Sequence, residues 1–123
     1  MATGGAPNDQ LAGLVGTLRE FVSERAWAQF HDPKNLAMLL GSEAGELLAL
    51  LRWTTGAETD TAVRGPLRER FTAELGDVGI AWLLLCDRAG VDPIECVRAK
   101  IEVNRLSYPA VQAFGQAERP ERG

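Results

Sequence analysis

The chain has 123 residues, 46% of them hydrophobic, which suits one domain with a core while leaving a smaller buried fraction than a larger domain achieves. Its formal net charge of -4 excludes the basic excess that binding a nucleic-acid backbone requires, so no nucleic acid polymer is expected as a partner. Residues 1–8 lack the basic start and apolar run of a secretion signal. No apolar stretch elsewhere is long enough to span a bilayer, so a cytoplasmic protein without a membrane partner is expected.

Apolar residues recur at helical spacing in four segments, with Gly, Pro and Asp between them, which predicts an all-α four-helix bundle. The first helix follows Asp9, carries Leu11, Leu14, Val15, Leu18, Phe21 and Val22 on one face, and runs to about Trp27. The turn Phe30-His31-Asp32-Pro33 ends it. The second, from about Lys34 to Trp53, is apolar nearly all the way round and is expected to be the central helix. Gly56 to Gly65 reads as a polar connection. Pro66 suits the first turn of a third helix that ends at Gly90, a C-terminal cap. Asp92, Pro93 and Glu95 start a fourth helix that reaches about Arg105. From Pro109 onward the chain is polar. The expected organisation is therefore a flexible N-terminus over 1–8, a helical domain over 9–108 and a poorly ordered tail over 109–123. Cys86 and Cys96 lie inside helical patterns and not in a CxxC pair, so both are expected to be reduced, buried thiols.

The sharpest feature is Glu43-Ala-Gly-Glu46 within the second helix and Glu74-Leu-Gly-Asp77 within the third. Each pair has i, i+3 spacing, which puts both side chains on one face, so two packed helices can aim four carboxylates into one small volume. Few compensating basic residues stand nearby. Cations must neutralise such a cluster, and hard oxygen ligands are what magnesium or manganese prefers. Gly41, Gly45, Gly76 and Gly79 each cost roughly 1 kcal/mol of helix propensity, which close backbone approach or room for a ligand would justify.

Other chemistries fit poorly. A carboxylate-bridged di-iron bundle needs Glu-x-x-His motifs, but Ala49 follows Glu46 at that spacing and Ile80 follows Asp77. His31 is the only histidine, too few for an imidazole zinc site, and no nucleophile motif accompanies it; taken alone it reads as a turn residue. No phosphate-binding glycine loop of either common type occurs.

These acidic motifs resemble those of the MazG-like, all-α nucleoside triphosphate pyrophosphohydrolases, whose signature is ExxE followed by ExxD. The stretches Trp27-Ala-Gln-Phe-His-Asp-Pro-Lys-Asn35, Gly41 to Trp53 and Lys100-Ile-Glu-Val-Asn104-Arg105-Leu-Ser-Tyr108-Pro109 look like the dCTP pyrophosphatase branch in particular. The resemblance covers about residues 11 to 109. It implies that Glu43, Glu46, Glu74 and Asp77 bind Mg2+, with Mn2+ a possible substitute, and that water attacks the α-phosphorus of a nucleoside triphosphate to release pyrophosphate. It gives Glu43 or Glu46 a further task in orienting or deprotonating that water.

By the same resemblance Trp27 and Trp53 line the base pocket, Asn104 contacts the nucleotide, and Lys100 and Arg105 contact phosphate. His31, Lys34, Asn35 and Tyr108 join them as substrate-binding candidates. The sequence departs from the branch at Leu18, where a pocket histidine can stand, and at Ala81, where a tyrosine can stand, which implies a wider and more apolar pocket. Assembly as a homodimer or homotetramer with shared sites is also implied, and two helices apolar on nearly every side agree with it. Two alternatives stand beside a dCTP-type substrate: a broad-specificity or dUTP-preferring pyrophosphatase, and a non-catalytic helical oligomerisation module.

Overall fold

The computed structural model describes residues 7–116, and side chains from residue 9 onward. The elements in chain order are α1 (Pro7–Glu24), a 3-10 turn (Ala28–Phe30), α2 (Pro33–Leu51), α3 (Gly56–Arg64), α4 (Arg68–Ala89), α5 (Pro93–Ser107) and the short α6 (Ala110–Ala113). No strand occurs among the described residues, so the all-α expectation holds. Residues 1–6 and 117–123, which hold most of the expected flexible N-terminus and part of the expected tail, lie outside the described residues.

Short sequence signals set the helix ends. The Asp32 side chain accepts from the Asn35 N–H at 2.8 Å and Pro33 fills the first helical position of α2. Asp92 and Pro93 repeat the device on α5, where the Glu95 N–H donates to Asp92 at 3.0 Å. Gly90 closes α4 in the left-handed region at φ 70°.

Three expectations need correction. First, α1 ends at Glu24 and not near Trp27, because Ala26 takes a left-handed φ of 53° and the Trp27 and Ala26 N–H groups fold back onto the Val22 and Ser23 carbonyls. That is a Schellman closure with alanine where glycine usually stands, so its sequence signal is weak. Second, Gly56–Arg64 is a helix and not a loop. Glu58 in its first turn and Arg64 in its last complement the helix dipole, and Thr59, Ala62 and Val63 are its partly buried side. Third, Pro66 lies in the turn before α4, which begins at Arg68.

The chain divides into two compact units, one through Gly90 and one from Val91 onward. In the first, α2 packs along α4 more extensively than any other pair, with α1 and α3 also against α4. Its core is Leu18 and Val22 of α1, Leu36 of α2 and Ala81, Leu83 and Cys86 of α4. Leu36 is the largest fully buried side chain, at 1% exposure. In contrast to the central-helix expectation, Met38 and Leu48 of α2 are 64% and 70% exposed, so much of α2 is uncovered in the single chain. Cys86 is buried as expected, whereas Cys96 is exposed on α5.

The second unit consists of α5 and α6. On α5, Lys100 and Asn104 stand at i, i+4 spacing and so share a face, Tyr108 caps the helix with its N–H on the Asn104 carbonyl, and Arg105 pairs with Glu102 at 3.3 Å. Among the described residues no helix is long and apolar enough to cross a membrane.

Candidate metal centre

The two acidic pairs meet. Oxygens of Glu43 and Glu46 from α2 and of Glu74 and Asp77 from α4 all lie within 4.8 Å of one another. Glu43 and Glu74 are half-buried; Glu46 and Asp77 are exposed. Repulsion at Glu74 comes first from Glu46 and then from Asp77, and outside its own helix Glu43 feels Asp77 more than Glu74.

One oxygen on each deep acid is orphaned: Glu43 Oε2 and Glu74 Oε2 are buried and have no hydrogen-bond partner. Buried carboxylate oxygens in that condition need a proton or a cation. Burial is the main cause that pushes the Glu43 carboxyl above the ordinary glutamate range, followed by its contact with Glu46 and repulsion from Glu46, Asp77 and Glu74. The Glu74 carboxyl is pushed up the same way, by burial first and then by Glu46 and Asp77, against a partial lowering from Arg70. An all-oxygen set with two unsatisfied inner oxygens suits a hard divalent cation.

Arg70 stands one helical turn before Glu74, and the sequence expectation of few basic residues near the acids passes over it. Its i, i+4 spacing to Glu74 is the signal that could have found it.

The glycines beside the acids have a different role from close backbone packing. A Cβ built at Gly41, Gly45, Gly76 or Gly79 would meet nothing within 4 Å, so of the two expected reasons for them only open room remains in the single chain.

The other candidates distribute unevenly. Trp27 and Trp53 flank opposite ends of α2, whose 19 residues span about 28 Å at the helical rise. Trp27 packs edge-on against Phe21 with ring centroids 5.7 Å apart. Trp53 is 86% exposed, with the Arg52 guanidinium 5.3 Å over its ring. Within one chain no ring contact joins the two tryptophans. Asn35 spends its side-chain donors on the Phe30 carbonyl at 3.0 Å and on Asp32 at 3.2 Å, which makes it part of the α2 start. Lys34 is exposed in the first turn of α2.

His31 ends the 3-10 turn, with its N–H on the Ala28 carbonyl, and helps line a separate cleft of about 570 Å³ with Arg19, Val22, Leu36, Leu84 and Arg88. None of the four acids lines that cleft. Leu18 and Ala81 do not line it either; both are core residues, Ala81 with no exposure at all.

No family model matches the chain. It is similar to dCTP pyrophosphatase 1 of Homo sapiens, 43% identical over 107 residues that make up 85% of this chain and 62% of that protein. It is also similar to dCTP pyrophosphatase 1 of Rattus norvegicus, 39% identical over 113 residues, 91% of this chain and 66% of that protein. The chain thus spans less than two thirds of the length of these curated relatives. A crystal structure of a pyrophosphatase from Archaeoglobus fulgidus matches the fold with a TM-score of 0.78 at 35% identity, covering 89% of this chain and 98% of that one. With identity and fold agreeing over most of its length, the chain belongs to the dCTP pyrophosphatase branch of the MazG-like, all-α nucleoside triphosphate pyrophosphohydrolases.

Proposed function

We propose that the protein hydrolyses a nucleoside triphosphate, with dCTP or a modified dCTP as the leading candidate, to the monophosphate and pyrophosphate in a magnesium-dependent reaction. The observation that carries this reading is the pair of buried, partnerless oxygens on Glu43 and Glu74 inside a four-carboxylate cluster. Glu43, Glu46, Glu74 and Asp77 would hold the metal. When bound, magnesium neutralises phosphate charge and lowers the pKa of a water, the two things this reaction asks of a catalyst.

The chain's own residues supply the rest. Water adds through its oxygen to the α-phosphorus, the bond to the bridging oxygen breaks, and the electron pair leaves with pyrophosphate. Glu43 or Glu46 takes the water's proton, since a carboxylate within hydrogen-bond reach is the group a base needs to be. Trp27 and Trp53 are the base-stacking candidates. They flank opposite ends of α2, and a site that takes one from each of two copies fits a homodimer or homotetramer and the exposed Met38 and Leu48. Asn104, Lys100 and Arg105 of α5 and its C-cap Tyr108 remain nucleotide-contact candidates, with Lys34 and His31 on the stretch that begins α2.

A broader base preference is the second reading, favoured by apolar Leu18 and Ala81 in the core where polar pocket groups can stand in this branch. Pyrophosphate release from separate dCTP, dTTP, dUTP, dATP, dGTP and ribonucleotide samples, each with magnesium and with excess chelator, tests both. Chelator-sensitive release strongest with dCTP is the expected result. Equal turnover of many bases would support the broader preference, and no release from any sample would overturn the enzyme reading.

A further inference from the structure

Arg70 is exposed on α4, and its side chain makes no hydrogen bond or ion pair to any other described residue. Four other arginines are spent: Arg19 on Asp87, Arg25 on Glu24, Arg98 on Glu95 and Arg105 on Glu102. Arg52 lies over Trp53. Arg70 differs from all of these in position, being one turn before Glu74 on the same helical face. Glu74 in turn belongs to the four-carboxylate cluster, whose oxygens lie within 4.8 Å of one another.

A guanidinium so placed could simply be a counter-ion for the acids. The geometry argues for more, since no ion pair forms with Glu74, and arginine preceding glutamate at i, i+4 is the less favourable orientation for one. A planar, always-charged fork beside a phosphate-binding centre matches phosphate oxygens better than it matches a carboxylate already committed to a metal. We propose that Arg70 is a substrate-contacting residue that holds the β- and γ-phosphates, the half of the substrate that leaves as pyrophosphate. That half carries most of the triphosphate charge and receives the electron pair as the bond from the α-phosphorus breaks, so a cation beside it is worth most in the transition state. This rests on the pyrophosphohydrolase reading above.

The test is calorimetric binding of inorganic pyrophosphate to the full-length, magnesium-loaded protein, wild type against Arg70→Gln and Arg70→Lys. Arg70→Gln is expected to weaken pyrophosphate binding by about tenfold or more, and Arg70→Lys to recover part of that loss. Magnesium alone is expected to bind Arg70→Gln as tightly as wild type or more tightly, because a like charge beside Glu74 has gone. Pyrophosphate affinity unchanged in Arg70→Gln, or a change confined to magnesium affinity, would overturn the proposal and leave Arg70 a counter-ion. Arg70→Met, which keeps the aliphatic stem, serves the same comparison if Arg70→Gln does not fold. Binding needs no turnover, so a wild-type protein that binds pyrophosphate but releases none from any triphosphate would refute the enzymatic reading alone.

Discussion

Asp87 and Glu74 stand on the same helix and have opposite fates. Asp87 is gripped by Arg19 of α1, whose Nε lies 3.0 and 3.2 Å from its two oxygens, and that hydrogen bonding holds its carboxyl below the ordinary aspartate range. Glu74 has a buried oxygen with no partner, three carboxylates around it and a carboxyl pushed upward. A carboxylate supplied with its cation ties α1 to α4. Glu74, with Glu43 in the same state, belongs to the cluster we propose as the metal site.

The comparison can be broken at either carboxylate. The largest effect is expected at the acidic cluster: Asp77→Asn or Glu46→Gln should cut pyrophosphate release by about a hundredfold or more while circular dichroism stays unchanged. Wild-type rates in either variant would detach the cluster from the chemistry. Next comes the scaffold that holds both carboxylates in place. Leu36→Ala removes the largest fully buried side chain and should cost about 2–5 kcal/mol in denaturant unfolding. A loss well under that range would mean that α2 draws its stability from elsewhere.

The pH dependence sharpens the contrast. In metal-free protein the raised Glu43 and Glu74 carboxyls keep their protons to higher pH than they do in the unfolded chain. Stability should therefore fall as pH rises from the ordinary glutamate range through their raised values, and magnesium should remove that fall. Asp87 has the reverse sign. Its contribution is complete above the ordinary aspartate range and is lost as pH drops through its lowered value. The smallest effect is expected for Asp87→Asn, a slight drop in melting temperature near neutral pH that shrinks with added salt, because the Arg19 side chain is well exposed. A large, salt-insensitive drop would show that the pair does more than tie two helices.

Much of this was legible in the sequence because the signals are local. Two Asp-Pro starts, the Gly90 stop and two i, i+3 acid pairs each need only a few neighbouring residues to be read. The misses share a different cause. Helix α3 has only Thr59, Ala62 and Val63 partly buried, too few to make a periodic pattern, and α1 closes on alanine where glycine is the usual mark. Arg70 was obscured because an isolated basic residue on a helix reads as solvated surface until Glu74 is seen to face inward. Trp27 and Trp53 came from resemblance, which implies sites shared between subunits but does not say which tryptophan each copy supplies.

The central claim is that the acidic cluster is a metal centre, and a calorimetric titration of magnesium into metal-free protein addresses it most directly. Saturable binding in the wild type that is lost in Glu74→Gln and in Asp77→Asn is the predicted result. Absence of binding, or binding that survives both substitutions, would contradict it.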